Sequence, residues 1–331
     1  MKHISIIGDG GWGTTLAVHL AKKNYSIKLW GAFAPYVAEV SQTRINSKFL
    51  PGIRLPVSIE LSSDLKYILS QSDLWVFAVP SKYAADVLKQ IKSSKINLHG
   101  KTIVSVTKGL DTKTLKRMSE IIADQLQGIQ VAVLSGPTIA MEVAQGIPST
   151  AVVASKKLST AKAIQEIFNS STFRIYTNTD VIGVELGGTV KNIIAIACGV
   201  CDGLKFGTNT KSAIVTRGLA EMSRLGKAMG AKQRTLIGLT GLGDLVTTCF
   251  SPRSRNRTFG EQLGSGKKAK DILASMEMVA EGAESVQAVH KLSQKLDVSM
   301  PITTEVFNIV YKDKNPMQAV TDLMTRKTKS E

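Results

Sequence analysis

The feature that most constrains the fold is a glycine cluster set directly behind an apolar run. Residues 3–7, HISII, read as a buried strand, and Gly8-Asp9-Gly10-Gly11-Trp12-Gly13 follows at once. Residues 14–23, TTLAVHLAKK, then carry the apolar spacing of an amphipathic helix. A strand, a tight turn and a helix in that order argue for the first unit of a parallel α/β sheet. Gly8, Gly10 and Gly13 match G-x-G-x-x-G. In that pattern the first glycine makes the turn, the second lets the backbone approach a pyrophosphate, and the third lets helix pack on strand. The helix start offers free N–H groups and a positive dipole end to the phosphates. The expected ligand is therefore a dinucleotide.

The rest of the chain extends this reading. Further strands are expected at 26–30, 74–79, 102–107, 131–134 and 150–154, with helices between most of them, such as 82–91 and 114–127. This alternation predicts a mainly parallel sheet covered on both faces. Past Asp180 the strand signal almost vanishes, and helical patterns dominate at 190–200, 211–229, 270–276, 285–296 and 303–311. A chain of 331 residues suits two domains. The expectation is a Rossmann-type α/β dinucleotide-binding domain over 1–188 and an all-α substrate and dimerisation domain over 189–331.

Composition narrows the function classes. The chain is 43% hydrophobic and 21% charged, as in soluble globular proteins. No apolar run is expected to span a bilayer, the N-terminus shows no leader-type cleavage site, and the expected location is the cytoplasm. Cys198, Cys201 and Cys249 give no disulfide framework, and the C-x-x-C pair reads as small buried residues. No metal site is expected. The formal charge of +16 suits an anionic small molecule, a nucleic acid or an anionic membrane surface. Aromatic residues make up only 5%, which argues against stacking platforms for nucleic acid. His3 and His19 read as core, and His99 and His290 as surface.

Chemistry is concentrated in residues 187–209, GGTVKNIIAIACGVCDGLKFGTN. Lys191 stands ahead of the apolar face Ile193, Ile194, Ile196, Ala197 and Val200, which predicts a lysine in the first turn of a buried helix. Helix end and desolvation both disfavour the cation there and would tune it for proton transfer. The plain alternative is a lysine that reaches to solvent. Further polar segments are Thr107-Lys108-Gly109-Leu110 and Ser135-Gly136-Pro137-Thr138, each expected after a strand. The others are Gly241-Leu242-Gly243-Asp244 and the basic run 251–257, SPRSRNR. Arg255 and Asn256 suit a phosphate, although a solvated basic loop would read the same way. The usual ribose-binding acid after the second strand is missing: Ala32 stands there and the next acid is Glu39. That favours NADP, or tolerance of both cofactors, with Arg44 or Lys48 as stand-ins for the 2′-phosphate partner.

The run from Gly188 to Asn209 resembles the signature of the NAD(P)-dependent glycerol-3-phosphate dehydrogenase family, bacterial type. GDGGWGTTLA, VTKGL, SGPTIAMEVA, TGLGDLVTTCFSPRSRNR and VAEGAES resemble other blocks of that family, in its order. The resemblance implies a 6-phosphogluconate-dehydrogenase-like helical domain. It implies reversible reduction of dihydroxyacetone phosphate to sn-glycerol 3-phosphate with NAD or NADP, NADPH slightly preferred, for phospholipid synthesis. It makes Lys191 the proton donor and acceptor. Lys108, Gly136, Thr138, Lys191, Asp244, Ser254, Arg255 and Asn256 would bind substrate. Gly8, Gly10, Gly11, Trp12, Gly13, Lys108, Ala140, Arg255, Val279 and Glu281 would line the cofactor. Ala32 and Thr138 depart from the family's more usual residues. A homodimer is implied, with no nucleic acid partner and no integral membrane segment. Two rivals stand beside this reading: another two-domain dehydrogenase acting on a hydroxy or sugar acid, and a non-enzymatic nucleotide or membrane-surface binder.

Overall fold

Eight strands form one sheet: β1 (His3–Ile7), β2 (Ser26–Trp30), β3 (Ile59–Ser62), β4 (Leu74–Phe77), β5 (Thr102–Ser105), β6 (Gln130–Ser135), β7 (Ser149–Ala154) and β8 (Phe173–Asn178). The structure is a computed structural model and describes residues 3–276 and 280–328. Across the sheet the order is β3-β2-β1-β4-β5-β6-β7-β8. Every neighbouring pair is parallel except β6 and β7. The strands β1, β4 and β5 are buried along nearly their whole length, as a sheet covered on both faces requires. One face packs Leu16, Val18, Ile164 and Phe168. The other packs Leu65, Leu88, Ile91 and Ile122.

The chain divides into two compact units: residues 1–108 with 116–184, and residues 109–115 with 185–331. The first holds the sheet and its covering helices. The second is built from helices, chiefly the long helix Val181–Gly203 from Glu185 onward, Thr208–Ala228, Arg255–Gly264, Glu281–Lys295 and Pro301–Lys312. Its core gathers Val190, Ile193, Ile194, Leu245, Phe259, Val286 and Val289, with Leu110 from the short segment. Burying each such large side chain contributes about 1.5–3 kcal/mol.

The long helix differs from expectation in two ways. It starts at Val181, so Lys191 lies in its interior and not in its first turn. The glycine pair that suggested a helix start is threaded through the helix: a Cβ on Gly187 would strike the Thr240 carbonyl. The helix is also long and apolar enough to cross a membrane by length and composition, contrary to the sequence expectation, yet 89% of its most apolar window is buried inside the protein. It crosses Arg255–Gly264 with glycines on both sides, Gly199 against the Arg257 carbonyl and Gly260 against the Ile196 carbonyl. That close crossing fixes where Arg255 and Asn256 stand relative to Lys191.

Candidate functional site

In the sheet unit, the strand order reverses at β1, which pairs with β2 on one side and β4 on the other. Open α/β sheets bind ligands at the carboxyl ends of strands beside such a reversal. The glycine turn lies there. Gly8 has φ +115°, a conformation that disfavours any side chain, and its N–H donates to the Trp30 carbonyl at 3.0 Å. A Cβ on Gly13 would collide with the Gly8 carbonyl, so the helix Gly11–Lys22 sits as close to the turn as the motif demands. At Gly10 nothing lies within 4 Å of where a Cβ would be, leaving that backbone open to a ligand. The helix carries no side-chain N-cap, so its first N–H groups suit an anion. By these features the turn fits the pyrophosphate of a dinucleotide. Gly11 lies under the Phe49 carbonyl, and Trp12 packs edge-on to Phe173 at 6.2 Å.

Other nominated residues follow along the same edge. Lys108 comes after β5, and its Nζ donates to the Gly136 carbonyl, beyond β6, at 3.4 Å. Thr138 Oγ1 donates to the same carbonyl at 3.2 Å. Thr15 Oγ1 lies 3.1 Å from the Ala140 carbonyl, tying Ala140 to the glycine-turn helix.

The helical unit holds a different kind of site. Lys191 Nζ donates to Asp244 Oδ1 at 2.8 Å and to Thr248 Oγ1 at 2.6 Å, and all three residues are buried. Thr248 Oγ1 lies 2.6 Å from the Asp244 carbonyl. Its single proton is directed there, which turns a lone pair toward the lysine. Asp244 opens the helix Asp244–Phe250 just after a π-helical turn, Leu239–Gly243. A carboxylate in a first turn is favoured by the helix dipole, and such π turns are frequent at functional sites. The helix-end argument for Lys191 does not hold, because the lysine is mid-helix. Burial disfavours its charge while Asp244 favours it. An ion pair this buried adds little to stability over an apolar replacement, so its presence points to chemistry.

Near this pair, Ser254 caps the helix Arg255–Gly264 by accepting from the Arg257 N–H at 3.2 Å. The basic run is thus a turn over 251–254, with Arg253 exposed, leading into a capped helix start at Arg255. Arg255 is exposed at that start. Asn256 is buried, and its Oδ1 accepts from the Gly282 N–H at 2.9 Å, which places Glu281 at the head of Glu281–Lys295. Val279 lies outside the described residues.

Two polar residues of this site were missed in the sequence. Thr248 stands one helical turn after Asp244, a D-x-x-x-T spacing that puts both on one face. Asn192 is buried beside Lys191 in the chain, and its Nδ2 has no hydrogen-bond partner among the described residues. Histidine placement is partly reversed: His3 is exposed, whereas His290 is buried and stacks on Phe307 at 4.2 Å. Cys198, Cys201 and Cys249 are buried free thiols, and burial pushes Cys201 up to about 12. No metal-binding group of His, Cys, Asp or Glu occurs among the described residues.

A Rossmann-type sheet with a phosphate-fitting glycine turn, joined in one chain to a helical unit with a buried lysine–carboxylate pair, defines a class of dinucleotide-dependent oxidoreductases. Comparison with known proteins narrows the class. Residues 3–161 match the NAD-dependent glycerol-3-phosphate dehydrogenase N-terminus, and residues 180–321 match the corresponding C-terminus. The chain is 47% identical over 331 residues to glycerol-3-phosphate dehydrogenase [NAD(P)+] of Prosthecochloris aestuarii, covering 99% of each chain. Among solved structures, glycerol-3-phosphate dehydrogenase from Coxiella burnetii superimposes with TM-score 0.95 at 40% identity, covering 98% of this chain and 99% of that one. The Plasmodium falciparum glycerol-3-phosphate dehydrogenase gives TM-score 0.88 at 29% identity, with 99% and 96% covered. The chain belongs to the NAD-dependent glycerol-3-phosphate dehydrogenase family.

Proposed function

We propose that this protein reduces dihydroxyacetone phosphate to sn-glycerol 3-phosphate, reversibly, with NAD(P)H, and so supplies glycerophospholipid synthesis in the cytoplasm. The observation that carries the reading is the buried Lys191–Asp244–Thr248 cluster in a chain of this family. When bound, the nicotinamide supplies the hydride. Gly8, Gly10, Gly11, Trp12 and Gly13 would hold the cofactor, with Lys108, Ala140, Arg255, Val279 and Glu281 lining it. Lys191 donates a proton to the oxygen of the carbonyl being reduced and takes it back in the reverse direction. Asp244 and Thr248 hold the ammonium in place, which supports positioning without reorganisation. Arg255, at a helix start with Ser254 and Asn256, is suited to the substrate phosphate. Lys108, Gly136 and Thr138 complete the substrate contacts. The active species is a homodimer.

The test is oxidation of NADH and NADPH by the purified protein with dihydroxyacetone phosphate, set against hydroxy-acid and sugar-acid precursors. Turnover confined to dihydroxyacetone phosphate is the expected outcome. Faster turnover of another carbonyl compound would overturn the substrate assignment.

A further inference from the structure

Although the end of β2 carries no acid, a carboxylate stands there. It comes from Asp9, inside the glycine turn. A Cβ on Gly31, the residue directly after β2, would run into Asp9 Oδ2 and stand 2.7 Å from Asp9 Cγ. The missing side chain at position 31 is what makes room for the carboxyl group.

Asp9 is also held in place. Its carbonyl accepts from Asn46 Nδ2 at 2.7 Å and from Thr14 Oγ1 at 3.0 Å. Asn46 is fully buried and uses its whole amide: Nδ2 also donates to Thr14 Oγ1 at 2.8 Å, and Oδ1 accepts from Tyr36 OH at 2.7 Å and the Phe49 N–H at 3.1 Å. The backbone of Asp9 therefore cannot drift, and its side chain is aimed at the end of β2. Burial pushes its carboxyl up, opposed by its own N–H.

Of the two cations nominated for a 2′-phosphate, Arg44 is held by backbone carbonyls and Lys48 is exposed. Arg44 Nη2 donates to the carbonyls of Pro56 and Ile59. Lys48 Nζ lies over the Phe49 ring, 5.5 Å from its centroid.

We propose that Asp9 supplies the ribose-reading carboxylate that β2 lacks, and that it selects the nicotinamide dinucleotide without a 2′-phosphate. A carboxylate accepts hydrogen bonds from two ribose hydroxyls and repels a phosphate in the same place. The sequence preference for NADPH rested on an empty end of β2; with Asp9 there, the preference reverses. This inference rests on the dinucleotide-dependent reading of the chain.

The test reads binding without any turnover. NADH and NADPH are titrated by fluorescence against the wild-type protein and Asp9→Asn, with no carbonyl substrate present. The wild type is expected to bind NADH at least about tenfold more tightly than NADPH, and Asp9→Asn to bring that ratio close to one. Asp9→Ser repeats the measurement should the asparagine variant fail to fold. A comparison on the wild type alone, ADP against 2′,5′-ADP as competitors of NADH, should show the same preference for the ligand lacking the 2′-phosphate. Equal binding of both cofactors by the wild type overturns the proposal. So does a loss in Asp9→Asn that falls equally on both cofactors, the mark of a structural role. Failure of both cofactors to bind overturns the dinucleotide reading itself, and the proposal with it.

Discussion

At the carboxyl edge of the sheet, the proposed cofactor site is built largely from backbone: glycines at 8, 10 and 13 and the uncapped N–H groups of a helix start. In the helical unit the proposed proton-transfer site is built from buried side chains of opposite charge, Lys191 and Asp244, with the Thr248 hydroxyl as a second partner of the lysine. The two strategies suit their ligands. A pyrophosphate is a common part of many cofactors and can be held by dipoles that cost no buried charge. A proton has to be carried by an ionisable group, and the helical unit bears the desolvation cost of one.

The contrast can be broken at either end. Lys191→Ala is expected to lower kcat by about 10²–10⁴-fold, while NADH still binds in fluorescence titration, since the glycine turn is untouched. Loss of both together would mean the two regions are not separable. Gly13→Val should do the reverse. Its side chain would strike the Gly8 carbonyl, weakening cofactor binding by at least about tenfold and lowering the unfolding temperature through overpacking of about 1–3 kcal/mol. Unchanged NADH affinity would remove the turn from the site.

Thr248→Val keeps the shape and deletes the hydroxyl. Lys191 would lose that partner and keep Asp244, and kcat should fall by about tenfold, with KM for dihydroxyacetone phosphate little changed. A rise in KM with kcat intact would assign Thr248 to substrate binding instead. The smallest effect belongs to a second buried acid of the helical unit, Glu221. It accepts from the N–H groups of Ile302 at 2.5 Å and Thr303 at 3.1 Å and so caps Pro301–Lys312. Burial raises its carboxyl above the usual range. The folded protein therefore holds that proton more tightly than the unfolded chain. The contribution is complete below the unfolded-state value, and it is lost as pH rises through the raised folded-state value. Unfolding temperatures measured between about pH 4 and 8 should fall less steeply with pH for Glu221→Gln than for the wild type. Parallel curves would show that Glu221 does not titrate in that window.

What could be read in the sequence followed from how local each signal is. The glycine turn, β1, β2 and most long helices are set by residues close in the chain, and their spacing alone announces them. β3 and β8 were not anticipated. β3 is only four residues long, and β8 alternates buried and exposed positions at the sheet edge, with Arg174 and Tyr176 outward. The helix Arg255–Gly264 was hidden by its charges, and its cap at Ser254 is the feature that starts it. Lys191 was singled out correctly as a buried lysine but placed at the wrong point of its helix. Gly187 and Gly188 look like a break until Thr240, far along the chain, is packed against the first of them. The pairing with Thr248 needs a fold that closes 57 residues of chain. Asp9 was passed over because it lies within the motif and not at the end of β2.

Residues Gly109–Leu115 belong with the helices, although sheet residues flank them on both sides. Leu110 is part of the helical core, and the Gly109 N–H donates to Thr189 Oγ1 at 3.1 Å, two residues before Lys191. The chain thus passes between the units at 108/109, 115/116 and 184/185. A fragment starting at Glu185 would leave a hole where Leu110 packs and a Thr189 hydroxyl without the Gly109 donor, two residues from Lys191. Swapping the helical unit onto a different nucleotide-binding half would therefore require carrying this seven-residue insertion along with it.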